Sequence, residues 1–270
     1  MDRSSGVPPF ARLPLAFEAA PLLEEARAIG ANGWVAHFNA GYHDGGWQGA
    51  ALRSVGGDAA TLHPDPVKTE AVRDTELLAR CPHTAAALAR LECPLRAVRL
   101  LRLAAGGVIR EHRDDDLRFE DGEARLHVPL ATNPEVEFYV DGERVVMEAG
   151  ECWYLDLSRP HRVQNRGSAD RIHLVIDCRV NEWLAAQIAA AAPVERAARS
   201  ASGAECFAAF RELVLGDEAL QAQLRAVAEP AAFAAKAVLL GSAHGLRFGE
   251  EDVRAAMTRG RQAWHSQWVL

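Results

Sequence analysis

The stretch VEFYVDGERVVMEAGECWYL, residues 136–155, decides how the middle of this chain folds. It holds two short runs rich in β-forming residues, Val136–Val140 and 144–148, which are separated by the turn-forming pair Asp141 and Gly142. A two-residue primed turn needs positive φ angles, which Gly and Asp tolerate. The pattern therefore predicts a β-hairpin.

Similar β-rich runs continue on both sides of this hairpin. Short runs rich in Val, Leu, Ile and aromatic residues alternate with turn-forming residues between positions 97 and 178. Besides the two hairpin runs, they cover residues 97–103, 108–113, 124–131, 152–157 and 171–178. Seven short strands with tight turns indicate an antiparallel sandwich or jelly roll.

Helical patterns flank the β-rich region on its N-terminal side. Residues 14–31 carry apolar side chains near helical spacing, which predicts one helix. Residues 75–91 indicate one helix or two, with a break at Cys81 and Pro82, because proline cannot continue a helix from the preceding turn.

The C-terminal part of the chain is rich in alanine and shows no strand pattern. The Ser/Gly run at 200–203 is expected to be a linker, and Asp217 is expected to cap a helix that Pro230 closes. The sequence therefore predicts a domain over residues 1–190 and a small helical domain over residues 200–270.

Composition excludes several classes of function. The 270 residues are 49% hydrophobic and 25% charged, which is typical of a folded soluble chain. A net charge of −7 argues against a broad nucleic-acid-binding or anionic-membrane-binding surface. No segment approaches the roughly 20 apolar residues that span a bilayer, so we expect a cytoplasmic protein. The five cysteines never form C-x-x-C, which favours buried reduced thiols.

Two His-x-Asp pairs are candidate metal-binding motifs, one beginning at His63 and the other at His112. His63 lies in a proline-rich loop without strand character, where an ordinary surface residue is the simpler interpretation. His112 ends the strand-like run 108–112, and the two-residue period of a strand places His112 and Asp114 on one face. Two ligand atoms could then reach one metal ion.

A second pattern occurs twice, as RLHVPL at 125–130 and RIHLVI at 171–176. Each copy alternates Arg and His on one face with aliphatic residues on the other. For a single strand of this kind, the simplest explanation of the alternation is that the polar face of the sheet lies in water. Two such strands near His112 and Asp114 favour a polar barrel interior backed by an aliphatic layer. Buried arginines must be paired, so this interior implies an anionic ligand or carboxylate partners.

His161 lies in SRPHRVQN, residues 158–165, directly after a strand-like run. A histidine in a turn is often structural or solvent-exposed. Together with His112 and Asp114, however, it completes a set of two imidazoles and one carboxylate. This set suits non-haem Fe(II) and leaves three coordination positions open. Arg171 follows His161 by ten residues, and this spacing supports the same interpretation.

These motifs resemble the Fe(II)- and 2-oxoglutarate-dependent dioxygenases. Within them the chain is most similar to the aspartyl/asparaginyl β-hydroxylase group, which includes bacterial cis-hydroxylases of free proline. The supporting phrases are EHRD at 111–114, RLHVPL at 125–130, GECWYLD at 150–156 and PHRVQN at 160–165. The resemblance covers roughly residues 30–184. It implies a mainly β chain with flanking helices, built on a cupin-like double-stranded β-helix.

The resemblance also assigns roles to individual residues. It implies that His112, Asp114 and His161 bind iron, and that Arg171 pairs with the distal carboxylate of 2-oxoglutarate. Arg125 and His127 match a strand whose side chains also contact that co-substrate. The implied cofactors are Fe(II), 2-oxoglutarate and O2. Mammalian aspartyl hydroxylases lack the carboxylate ligand, so Asp114 places this chain nearer the bacterial members.

The expected function is hydroxylation of an amino acid, or of an Asp/Asn residue in a peptide or protein, with release of succinate and CO2. No nucleic-acid or membrane partner is expected, and the helical tail is a candidate homodimer contact. The alternative is a catalytically silent jelly-roll sensor or scaffold that binds a small anion. Such a protein would keep the arginines, but it would not need all three metal ligands.

Overall fold

A computed structural model of the chain describes residues 6–43, 45–63, 72–114, 117–191 and 203–266, with side chains up to residue 258. The chain divides into two compact units, Met1–Arg199 and Ser200–Leu270. Each unit has an apolar core of its own.

The described part of the first unit contains twelve strands and four α-helices. The strands are β1 (Phe10–Ala16), β2 (Val35–Ala36), β3 (Trp47–Val55), β4 (Val72–Asp74), β5 (Leu95–Leu103), β6 (Val108–His112), β7 (Glu123–Ala131), β8 (Val136–Val140), β9 (Glu143–Arg144), β10 (Glu151–Leu155), β11 (His161–Asn165) and β12 (Arg171–Arg179). The helices are α1 (Ala19–Ala28), α2 (Glu76–Ala79), α3 (Pro82–Leu88) and α4 (Glu182–Ala189).

These strands form two antiparallel sheets. The larger sheet has eight strands in the order β1-β10-β7-β12-β5-β3-β2, with β4 paired to β3. The smaller sheet has four strands in the order β6-β11-β8-β9. Because consecutive strands are often not neighbours, the chain crosses repeatedly between sheets, as a jelly roll requires. The predicted fold class, mainly β with flanking helices, is confirmed.

Strand β12 shows how the large sheet separates an aliphatic layer from a polar one. Ile172, Leu174 and Ile176 belong to the apolar core on one face, which also contains residues of α1, α3 and α4. On the opposite face Arg171 and His173 are each only 1% exposed. The Arg/His face is therefore an interior and does not lie in water.

The N-terminal segment differs from the helix predicted over 14–31. Residues up to Ala16 form β1, which pairs with β10, and α1 begins only at Ala19. Pro14 is tolerated in this strand because β1 lies at the edge of the sheet. An N–H group that points away from β10 has no strand to bond to, so its absence there costs no hydrogen bond within the sheet. The region 75–91, where one helix or two were expected, forms two short helices, α2 and α3, and Pro82 is the first residue of α3.

The hairpin predicted at Asp141 and Gly142 is confirmed. Both residues have positive φ, 51° and 76° respectively, and they join β8 to β9. The second run, predicted over 144–148, is shorter than expected, because only Glu143–Arg144 pairs with β8. His161, expected in a turn, is instead the first residue of β11.

The second unit is helical, with α5 (Gly203–Gly216), α6 (Glu218–Arg225), α7 (Pro230–Ala243) and α8 (Glu250–Ser266). Asp217 caps α6 as predicted, since its side chain accepts from the backbone N–H groups of Ala219 and Leu220. Pro230 opens α7 instead of closing α6. Most of the predicted linker, residues 200–202, lies outside the described residues.

Two further findings concern the cysteines and the helices. All five cysteines are buried and free of disulfides, as the spacing predicts. None of the described helices is long and apolar enough to cross a membrane.

Candidate metal centre

His112, Asp114 and His161 come together in the structure. Each offers one ligand atom, and these three atoms lie within 4.8 Å of one another. The pairing of β6 with β11 sets His112 directly opposite His161. Asp114 follows β6 by two residues, and its backbone N–H donates to the carbonyl of Leu157 at 2.8 Å. No other group of this kind occurs in the residues that the structure describes.

Hydrogen bonds fix which nitrogen of each imidazole faces the centre. Nδ1 of His112 lies 2.8 Å from the carbonyl oxygen of Arg110, and Nδ1 of His161 lies 3.0 Å from that of Arg159. A carbonyl only accepts, so each Nδ1 carries the proton and each Nε2 keeps its lone pair. Burial lowers the pKa of both rings, that of His161 to about 3, so both are neutral at pH 7.

Asp114 is held as an ionised carboxylate. Burial alone would raise its pKa, but the Arg125 guanidinium brings it below the ordinary range. Nη1 of Arg125 donates to Oδ2 of Asp114 at 2.5 Å, while Oδ1 lies 3.8 Å from Nε2 of His112. Two neutral imidazole nitrogens and one carboxylate oxygen therefore converge, which is a donor set that fits Fe(II).

A buried ionic network supports Asp114 from behind. Asp177 on β12 is 2% exposed and accepts from Nε and Nη2 of Arg125 at 2.6 and 3.1 Å. It also accepts from Nη2 of Arg99, which is itself 2% exposed. Arg125 thus bridges Asp177 and Asp114. Its role as a co-substrate contact, which the family resemblance implies, stays a prediction.

Arg171 is also buried, but no carboxylate of the described residues pairs with its guanidinium. Its Nη2 donates to Nδ1 of His173 at 2.8 Å, while its Nε has no partner within the described part of the chain. The guanidinium lies 5.5 Å from the ring centre of Phe138. Burial lowers its pKa to about 9, which still leaves it cationic at pH 7. Arg171 lines the same cavity as the three candidate metal ligands, and so does His127, whose buried Nε2 has no hydrogen-bond partner among the described residues.

The site residues predicted from the sequence did not include several aromatic residues in and around this cavity. Tyr42 stacks on the imidazole of His112 at 4.6 Å, and His37 stacks on Trp47 at 3.4 Å between ring centres. These contacts come from an aromatic and glycine-rich stretch with no clear periodicity. His63, interpreted as a surface residue, is exposed and does not belong to the metal-ligand cluster.

A jelly roll that presents two histidines and one aspartate beside a buried arginine defines the class of non-haem iron, 2-oxoglutarate-dependent dioxygenases. The profile of the aspartyl/asparaginyl beta-hydroxylase family matches residues 18–180. The chain belongs to this family.

One curated relative is the L-proline cis-4-hydroxylase of Rhizobium meliloti (strain 1021), which is 28% identical over 170 residues. The match covers 60% of this chain and 57% of that protein, so the chain spans little more than half of its relative.

Among the solved structures that the chain matches is an oxidoreductase of the 2OG-Fe(II) oxygenase family from Burkholderia pseudomallei, with 18% identity and a TM-score of 0.43. That alignment covers 64% of this chain and 86% of the other. HygX from Streptomyces hygroscopicus, with nickel and 2-oxoglutarate bound, has 12% identity and a TM-score of 0.41, covering 67% and 88%.

Proposed function

We propose that this chain is an Fe(II)- and 2-oxoglutarate-dependent hydroxylase that acts on an amino acid or on an Asp/Asn residue in a peptide. The observation that carries the proposal is Arg171, a buried cation on the cavity wall that no carboxylate of the described residues neutralises. Burying a charge without a partner is costly. A dicarboxylate co-substrate that enters the same cavity supplies the missing anion.

The residues of the chain have distinct tasks in this proposal. His112, Asp114 and His161 would hold Fe(II) through two nitrogens and one oxygen, leaving three coordination positions for co-substrate and oxygen. Arg171 would bind the distal carboxylate through two parallel N–H groups, a geometry that also orients the co-substrate. Arg125 keeps Asp114 ionised and fixed in position.

A bound Fe(II) would supply the redox chemistry with which O2 converts 2-oxoglutarate to succinate and CO2. One oxygen atom enters succinate, and the other enters a C–H bond of the substrate as a hydroxyl group. Buried aromatic side chains, Trp47 and Phe138, line the cavity and restrict the access of water.

The amino-acid substrate is part of the proposal. The match with a proline hydroxylase supports a small amino acid, and the family description keeps an Asp or Asn side chain as the alternative. The helical unit lies beyond the family match, which ends at residue 180. We therefore assign it no part in the chemistry and propose that it is a dimer contact.

The decisive experiment combines binding and product analysis. Fe(II) and 2-oxoglutarate are titrated anaerobically into the protein, oxygen is admitted, and succinate is measured. Free amino acids and an Asp/Asn peptide library are then searched by mass spectrometry for the gain of one oxygen atom. Binding without oxygen-dependent succinate would favour the silent anion-binding alternative. Binding of neither ligand would refute the proposal.

A further inference from the structure

His173 is the partner that the structure gives to Arg171. The two residues lie two positions apart on β12, so they share the inner face of the large sheet. Both are 1% exposed. The bond from Nη2 of Arg171 to Nδ1 of His173 is 2.8 Å long and joins two side chains that solvent does not reach.

This bond fixes the protonation of the imidazole. A guanidinium only donates, so Nδ1 of His173 must carry a lone pair and the ring proton must sit on Nε2. Burial and the adjacent Arg171 both hold the pKa of His173 well below its ordinary value, which keeps the ring neutral. Nδ1 of His127 lies 3.3 Å from the same nitrogen and is therefore placed as a second donor to it.

The same strand offers a carboxylate, and not an imidazole, to the buried guanidiniums of the two neighbouring strands β5 and β7. Asp177, four positions further along β12, accepts from both Arg99 and Arg125. A carboxylate in contact with a guanidinium cancels its charge, whereas a neutral imidazole accepts one N–H and leaves the charge in place. At Arg171 the chain uses the neutral partner.

We propose that His173 is a positioning residue that orients Arg171 for a ligand carboxylate without neutralising it. The proposal rests on the proposed function, since it needs 2-oxoglutarate to bind at Arg171. A carboxylate at position 173 would occupy the guanidinium and compete with the co-substrate. An apolar side chain would leave the guanidinium free to rotate away from the binding geometry.

Three substitutions separate these effects. His173→Asn keeps a neutral acceptor near the position of Nδ1, His173→Leu removes the acceptor at similar volume, and His173→Asp adds a competing charge. The affinity for 2-oxoglutarate is measured by anaerobic calorimetry of the full chain loaded with Mn(II). The affinity for 2-oxopentanoate, which lacks the distal carboxylate, is measured in parallel. Thermal melting and Mn(II) affinity report whether each variant is folded.

We expect His173→Asn to stay within about 3-fold of wild type and His173→Leu to bind 2-oxoglutarate about 10-fold more weakly, since one bond to a charged group is lost. His173→Asp should be the weakest of the three. The affinities for 2-oxopentanoate and Mn(II) should not change. In an Arg171→Ala background, His173→Leu should have no further effect, because the two residues act through one interaction.

Two results would overturn the inference while leaving the proposed function intact. One is wild-type affinity for 2-oxoglutarate in His173→Leu when Arg171→Ala has lost it. The other is an equal loss in the Asn and Leu variants, which would mean that the acceptor is irrelevant. Failure of the wild-type protein itself to bind 2-oxoglutarate would instead refute the proposed function.

Discussion

Replacing Asp177 by asparagine removes the charge at the centre of the buried network behind the metal site. Asp177 accepts three hydrogen bonds from cationic groups, one from Arg99 and two from Arg125. Breaking one partner of a buried ion pair costs about 3–5 kcal/mol, because the remaining charge stays buried. Here two guanidiniums would lose their common carboxylate, so we expect at least the upper end of that range.

The size of this loss makes it measurable. Typical domains are stable by about 5–15 kcal/mol, so Asp177→Asn should lower the midpoint of chemical denaturation strongly. It should also weaken metal binding. Without the charge at position 177, Arg125 is expected to move away from that position and to lose the geometry that holds Asp114. Asp141→Asn is a matched control. Asp141 pairs with Arg159, their side chains are 30% and 32% exposed, and such solvent-accessible pairs are worth about 0–1 kcal/mol.

Acidification tests the same network. The two arginines hold the pKa of Asp177 below its ordinary value despite its burial. A depressed pKa in the folded state contributes stability above the unfolded pKa of about 3.9, and this stability is lost as pH falls through the folded pKa. Asp177→Asn should therefore flatten the loss of stability below about pH 4. Equal stability of Asp177→Asn and Asp141→Asn at pH 7 would refute the reasoning.

The remaining predictions concern the metal site, the co-substrate and the helical unit. His112→Ala should abolish iron-dependent turnover and leave the fold intact by circular dichroism, while His63→Ala stays active; the reverse pattern would mean that the wrong His-x-Asp pair was chosen. Arg171→Lys should weaken 2-oxoglutarate by roughly 10-fold or more and Arg171→Ala by considerably more, with iron affinity unchanged. Unchanged 2-oxoglutarate affinity in Arg171→Ala would contradict the assignment. A chain ending at Pro193 should still bind iron and 2-oxoglutarate by calorimetry, and loss of its dimer by light scattering would support a contact through the helices. A folded, truncated chain that cannot bind 2-oxoglutarate would argue against the separation of the two units.

Local sequence rules were sufficient for much of the fold. The Asp141–Gly142 turn requires positive φ, and the alternation of Arg and His with aliphatic residues predicts two strands that each divide an interior from a core. The N-terminal strand was missed because Leu15 and Ala19 also fit a helical spacing. Only the pairing of β1 with β10, a long-range contact, decides between the two conformations.

The sequence predicted the three candidate metal ligands, but it did not predict the residues that hold them in position. His112, Asp114 and His161 are recognisable because metal chemistry restricts both residue type and spacing. Arg99 and Asp177 are 78 residues apart and belong to no motif, so their ion pair follows only from the pairing of β5 with β12. Likewise, the carboxylate partners of Arg125 and the neutral partner of Arg171 cannot be distinguished without the tertiary fold.

The register of β12 carries a consequence for insertions and deletions. Side chains alternate strictly along a strand, so a slip of one residue exchanges its two faces. Such a slip would send Arg171, His173 and Asp177 into the aliphatic layer and turn Ile172 and Leu174 toward the cavity. A single-residue insertion within 171–177 should therefore abolish folding and ligand binding together, whereas a volume-conserving aliphatic substitution on the core face should leave the ligand site assembled. The register of β12 that packs its aliphatic side chains into the core is therefore the same register that places its charged and polar side chains in the cavity.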